Sequence, residues 1–185
     1  TIKSGAHHPA TTQELRELLR PLLEGHDIGL ASEAGMPAIA DPGSSVVRMA
    51  HDLGAQVIAL TGPISLMLAL AASGLNGQNF AFTGYLPQDT TLRAQRIREL
   101  EKIARVSGLS QIFIETPYRN HAMLESLVSV LSPDTRLSVS WGLTLETLGL
   151  SHTGSAMVKQ WRTEPQKLRP EKNIEALPAV YIIGL

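Results

Sequence analysis

The stretch SEAGMPAIADPG, from Ser32 to Gly43, brings together Gly35, Pro37, Pro42, Gly43 and two carboxylates, Glu33 and Asp41. Glycine lets a backbone approach a ligand closely and proline holds it rigid. The residue types therefore suit a small-molecule site built from main-chain amides and carbonyls. The carboxylates disfavour an anionic group at this point and suit hydroxyls or a positive charge. A second loop, TGPIS at Thr61 to Ser65, has the same character. Either loop alone reads equally well as a tight turn. Neither fits GxGxxG or the Walker pattern GxxxxGK, so a phosphate cradle has no motif here.

Other chemistry-bearing residues are sparse. His7, His8, His26, His51, His121 and His152 fall in no metal-ligand spacing, and the chain has no cysteine. A disulfide framework and a thiolate metal site are excluded, and no metal is expected. Arg93, Arg96, Arg98, Lys102 and Arg105 form the one local basic cluster. Two readings fit it: a solvated face paired with Glu99 and Glu101, or a surface that contacts phosphates. A net charge of −1 gives no global attraction to nucleic acid. Aromatic residues make up 4% of the chain, which offers little for stacking along an extended single strand.

The elements that must hold these residues alternate. Thr11 and Glu14 make a capping box ahead of Leu15, Leu18, Leu19, Leu22 and Leu23 at helical spacing, with Pro21 set to split that helix. DIGLA then reads as a strand, the long loop follows, and Ser44 to Leu53 reads as a helix. QVIAL is the next strand, TGPIS the next loop, and Leu66 to Ala72 the next helix. Strand, Gly/Pro loop and helix repeated twice predict parallel βαβ units, whose ligands bind beyond the carboxyl ends of the strands. Around SGLNGQNFAFTGYLPQD the texture changes, and a boundary there divides the chain into domains 1–78 and 79–185. Beyond it, Thr91 to Arg105 reads as a charged helix, QIFIE as a strand, Tyr118 to Leu131 as a helix, and RLSVS and PAVYIIGL as strands. Between Leu143 and Ala176 the pattern is weak; SAMVKQW reads as a short helix and Pro165 to Ala176 as a surface loop.

With 185 residues and 43% hydrophobic content the chain can bury a core. No stretch approaches the apolar length of a membrane span, no signal peptide is expected, and the lack of cysteine fits a cytoplasmic protein. The opening TIKSGAHHPA has no Met and no periodic pattern, and reads as a chain whose beginning is missing.

Four segments in order, SEAGMPAIADPG, LTGPISLMLALAASGL, FAFTGYLP and FIETPYR, resemble the SDAGTPxISDPG, PGPSA…ALxASGL, FxGFLP and YESPHR series of the tetrapyrrole methylase superfamily. These are the class III S-adenosylmethionine-dependent methyltransferases, and the resemblance is to the branch containing the bacterial 16S rRNA cytidine 2′-O-ribose methyltransferases. It spans about Gly29 to Thr144. It implies two α/β domains, an N-terminal parallel βαβ domain and a C-terminal mixed-sheet domain, with the cofactor in the cleft and a homodimer as the usual assembly. The family also opens with a strand and Gly/Pro loop that have no counterpart here.

By the same resemblance Glu33, Ala34, Gly35 and Met36 border the cofactor S-adenosylmethionine, with Glu33 in place of the usual Asp and Met36 in place of the usual Thr. Pro63, Ser65 and Leu66 match the second cofactor loop, Thr116 contacts the cofactor from the second domain, and Leu143 belongs to the same framework. Trp141 and Gly142 replace an Arg-Glu pair on the substrate side. Methyl transfer depends chiefly on positioning, while a ribose hydroxyl acceptor gains from a carboxylate or histidine base. Glu115 is the candidate catalytic residue and Glu146 a second choice; a structural carboxylate pairing with Arg119 fits Glu115 equally. Arg93, Arg96 and Arg119 are the candidate RNA-binding residues. The expectation is a cytoplasmic methyltransferase acting on ribosomal RNA. A methyltransferase of a tetrapyrrole or other small cyclic substrate, and a cofactor-binding protein without transferase activity, are the alternatives.

Overall fold

A computed structural model describes residues 10–145, 151–169 and 177–185. Glu146, His7, His8 and part of the loop expected before Ala176 lie outside the described residues. The chain forms two compact units, Thr1–Ile64 and Ser65–Leu185.

The first unit starts as its sequence dictates. Thr11 caps α1 (Thr12–Leu18): its Oγ1 accepts from the Glu14 amide at 3.2 Å while the Glu14 carboxylate accepts from the Thr11 amide at 2.7 Å. Pro21 sits in the first turn of α2 (Arg20–Leu23), so the leucine-rich segment is two helices rather than one. Helix α3 (Ser44–Asp52) begins after Gly43 with no side-chain cap. Leu15, Leu19, Met49 and Ala50 form the small core between α1 and α3.

The parallel βαβ sheet expected in this unit is not formed among its described residues. Residues 27–31 and 56–60, expected as strands, carry no strand ladder. Their apolar side chains lie open: Ile28, Leu30, Ile58 and Leu60 are 38%, 41%, 68% and 78% exposed. A buried parallel strand needs both faces covered and both edges paired. The short helices of this unit instead pack their apolar residues against one another.

The second unit opens with α4 (Ser65–Ser73), apolar throughout, and continues through β1 (Phe80–Tyr85), α5 (Thr90–Ser107) and β2 (Ser110–Glu115). A 3-10 turn at Pro117–Arg119 leads into α6 (Asn120–Val130), β3 (Arg136–Trp141), β4 (His152–Met157), α7 (Val158–Thr163), α8 (Pro165–Leu168) and β5 (Ala179–Gly184). The five-stranded mixed sheet has the order β1-β2-β5-β3-β4. Strands β1 and β2 are parallel, joined over α5, and the remaining pairings are antiparallel. Asp89 caps α5 through a 2.9 Å bond from the Leu92 amide, and Gly108 ends it in the left-handed conformation, φ 67°.

Register decides which helix covers which face. Phe113, Tyr181 and Val139 are cross-strand neighbours and share one face, with Leu100, Met123 and Leu127 in the same core. Ile112, Ile182 and Ser138 share the other face, and Ser155 opposite Ser138 donates at 2.6 Å to the carbonyl of Ser73 in α4. So α4, assigned by sequence texture to the first domain, packs on β3, β4 and β5. With both faces covered, every residue of β5 is buried. Each large side chain fully buried this way contributes about 1.5–3 kcal/mol.

The weakly patterned region also resolves. SAM, expected to start a helix, is the end of β4, and the helix follows as α7. Thr153 and Ser140 hydrogen-bond across strands at 2.8 Å, and the ring of His152 lies 5.6 Å from that of Trp141. These pairs hold a strand whose own sequence, HTGSAM, lacks apolar alternation.

Candidate functional site

In the first unit the two Gly/Pro loops meet. A Cβ on Gly62 would lie 3.1 Å from Cγ of Met36, and one on Gly35 would lie 3.8 Å from the carbonyl oxygen of Pro63. Gly35 has φ 72°, a left-handed conformation that favours glycine, so the loop turns there without strain. Ser32 Oγ stands against the carbonyl oxygens of Ala34 (3.1 Å) and Gly35 (3.2 Å), folding the start of the loop on itself. Farther on, Ala38 and Ala40 also hold positive φ, 66° and 54°, and the Ala38 amide donates to Pro42 at 3.3 Å. Non-glycine residues in this region cost of order 1 kcal/mol each. The loop is thus a curled backbone, with Glu33, Ala34 and Gly35 exposed, Met36 half-buried and Pro63 exposed.

The remaining expected cofactor contacts lie in the second unit. Ser65 is the exposed first residue of α4, whereas Leu66 is buried in the core, leaving its main chain as the available contact. Leu143 is half-buried in the turn after β3, where the Leu145 amide donates to Gly142 at 2.9 Å.

Glu115 ends β2 and is almost fully buried. Its Oε1 accepts from the Thr116 amide at 2.7 Å, from Thr116 Oγ1 at 3.2 Å, and from Arg119 Nε and Nη2 at 2.8 and 2.7 Å. The guanidinium of Arg119 in turn lies 5.3 Å from the ring centre of Tyr118, which is 76% exposed. Behind this group, Tyr181 donates to the Asn120 carbonyl and side chain. Burial, with the Glu115 charge second, pushes the Tyr181 phenol far above its ordinary range, so it stays protonated. The sequence marks Tyr118 as a partner of Arg119 only by its place beside Pro117 and Arg119 in FIETPYR.

The basic helix α5 sorts its charges by face. Arg93 is turned inward, donating to the Gln88 carbonyl at 2.9 Å and to Ser126 Oγ at 3.0 Å, so it serves packing and has little left for a phosphate. Arg96 pairs with Glu99 at 3.2 Å, and Arg105 with Asp134 at 2.6 Å. The Arg105 guanidinium holds the Asp134 carboxyl below its usual range. Arg98 and Lys102 are exposed and have no ion-pair partner among the described residues. Trp141, standing where the resembling enzymes have charge, is fully buried against Trp161 and His152. Among the described residues no group of His, Asp and Glu could hold a metal ion, and no helix is long and apolar enough to cross a membrane.

No family model matches the chain. It is 34% identical over 138 residues to the ribosomal RNA small subunit methyltransferase I of Vibrio cholerae serotype O1, covering 75% of this chain and 46% of that protein. To the protein of the same name from Escherichia coli O157:H7 it is 36% identical over 125 residues, covering 68% of this chain and 42% of the relative. The chain thus spans less than half the length of these relatives. Among solved structures, the methyltransferase CobJ superposes with a TM-score of 0.55 at 16% identity, over 93% of this chain and 70% of CobJ. That likeness is one of fold. By sequence, the chain is a homologue of the ribosomal RNA small subunit methyltransferase I proteins, within the tetrapyrrole methylase superfamily.

Proposed function

We propose that the chain serves an S-adenosylmethionine-dependent methyltransferase that modifies a ribose of small-subunit ribosomal RNA, as a cytoplasmic homodimer. The observation that carries the cofactor assignment is the approach of Met36 to Gly62 and of Gly35 to Pro63. Two loops distant in sequence present main chain side by side, with no side chain at either glycine to block it. The residue types fit the group. Glu33 is free to accept from hydroxyls or an ammonium, Ala34, Gly35 and Pro63 offer backbone, and Met36 offers an apolar surface. Ser65, Leu66, Thr116 and Leu143 are the contacts assigned to the second unit. When bound, S-adenosylmethionine supplies a methyl group on a positively charged sulfur.

For the acceptor, Arg98 and Lys102 replace the inward Arg93 as the phosphate contacts on α5. Arg119 remains a substrate-side cation, its orientation fixed by Glu115. The four donors converging on one oxygen of Glu115 favour the pairing reading of that carboxylate over a base role.

The test is incubation of the chain with methyl-labelled S-adenosylmethionine and small-subunit RNA, followed by nuclease digestion and mass spectrometry. Label on a ribose oxygen is the expected result. Label on a tetrapyrrole but not on RNA would overturn the acceptor and leave the cofactor. No transfer, together with no thermal stabilisation by S-adenosylhomocysteine, would overturn both.

A further inference from the structure

Helix α5 carries an apolar edge that its own unit does not use. Its inward side is Arg93, Ile97, Leu100, Glu101 and Ala104. On the outside, Leu92, Arg96, Glu99, Ile103 and Val106 follow one another at intervals of four, three, four and three residues. That spacing places them in a single stripe, the pattern of a helix–helix seam. Leu92, Ile103 and Val106 are 55%, 40% and 80% exposed, and a shallow hollow of about 500 Å³ runs along Arg96, Glu99, Lys102, Ile103, Val106 and Ser107.

We propose that this stripe is a self-association seam, on which α5 of a second copy lies antiparallel. The inference rests on the homodimer reading above and names its surface. The charges choose the occupant and its direction. With a two-fold axis midway between Arg96 and Glu99, Arg96 faces Glu99 of the second copy, and Leu92 faces Ile103, because both pairs share that midpoint. Each contact is made twice, as an isologous interface requires. Val106 reaches the capping end of the second copy's helix. A parallel, in-register pairing would instead set Arg96 on Arg96 and Glu99 on Glu99, and like charges at such positions oppose association. Of the proposed phosphate contacts, Arg98 points to a different side of the helix at 3.6 residues per turn, whereas Lys102 borders the hollow.

Sedimentation velocity over a concentration series on the wild type, Arg96→Glu, and the double variant Arg96→Glu/Glu99→Arg tests it, with circular dichroism checking that each is folded. The wild type is expected to dimerise. Arg96→Glu, which sets Glu against Glu at both charged contacts, should weaken dimerisation by about tenfold or more, and the double variant should restore it. A second measurement uses the absence of native cysteine. Leu92→Cys/Ile103→Cys should oxidise to a covalent dimer, whereas Ile103→Cys alone should not. A dimer equally tight in Arg96→Glu, or cross-linking by Ile103→Cys alone, would overturn the antiparallel seam and leave the homodimer reading standing. A wild type that stays monomeric throughout would overturn both.

Discussion

Arg119 closes on Glu115 through two nitrogens, Nε at 2.8 Å and Nη2 at 2.7 Å from the same carboxylate oxygen. The pair joins the end of β2 to the turn that starts α6, and Tyr118 stacks outside it. Glu115 is nearly inaccessible to water, and Arg119 is its counter-charge.

Replacing Arg119 by Ala should therefore leave an unpaired carboxylate in the interior. Breaking a buried pair from one side costs about 3–5 kcal/mol; because Arg119 retains some exposure, a loss of about 3 kcal/mol is expected in urea denaturation. Glu115→Gln keeps the shape and loses less. If Glu115 instead acts as a base, Glu115→Gln would abolish turnover while leaving the denaturation midpoint unchanged, which contradicts the pairing role.

The meeting of Met36 and Gly62 leads to a binding prediction. Gly62→Val should push Met36 aside, since a Cβ there already stands 3.1 Å from its Cγ. In the wild type, S-adenosylhomocysteine at a hundred times its dissociation constant should stabilise the fold by about 2.7 kcal/mol. That gain should shrink by at least half in the variant, read as the ligand-induced shift in melting temperature. An undiminished shift would remove the loop pair from the cofactor site.

Arg98 and Lys102 should govern the salt dependence of RNA binding. Reversing both to Glu removes two phosphate contacts, and each contributes a slope of roughly 0.7 for single strands. Filter binding across a salt series should show weaker affinity and a slope flatter by about 1.4. Cofactor affinity should be unchanged. Equal slopes in the two proteins would exclude this side of α5 as the phosphate contact.

Gly154, inside β4, is a packing glycine. A Cβ at this position would overlap the carbonyl of Leu168, which is backbone and cannot rotate away, and would press on the ring of Trp161. Gly154→Ala should destabilise the second unit by about 1–3 kcal/mol, with β4 losing amide protection before β2. A neutral substitution would show that α8 is free to shift away from the strand.

Legibility in the sequence followed the range of the forces involved. The Thr11–Glu14 capping box, the split at Pro21, the α5 helix and the apolar β5 all arise from local chemistry: hydrogen-bond spacing, proline sterics and hydrophobic period. Each could be read from neighbouring residues. The ordered loop motifs likewise carried the family resemblance, because chemistry at a binding loop constrains residue types directly.

Tertiary structure decided what depends on distant partners. The apolar runs at 27–31 and 56–60 look like strands, yet a strand exists only where another strand takes its hydrogen bonds, and no local pattern supplies that partner. Strand β4 shows the reverse: HTGSAM has a poor pattern but is held by Ser140, Trp141 and α4. Arg93 and Arg98 are equal as letters in one basic helix. Only the packing of α5 against its unit turns Arg93 inward to Ser126 and leaves Arg98 in water, because which side of a helix is buried is set by what lies against it.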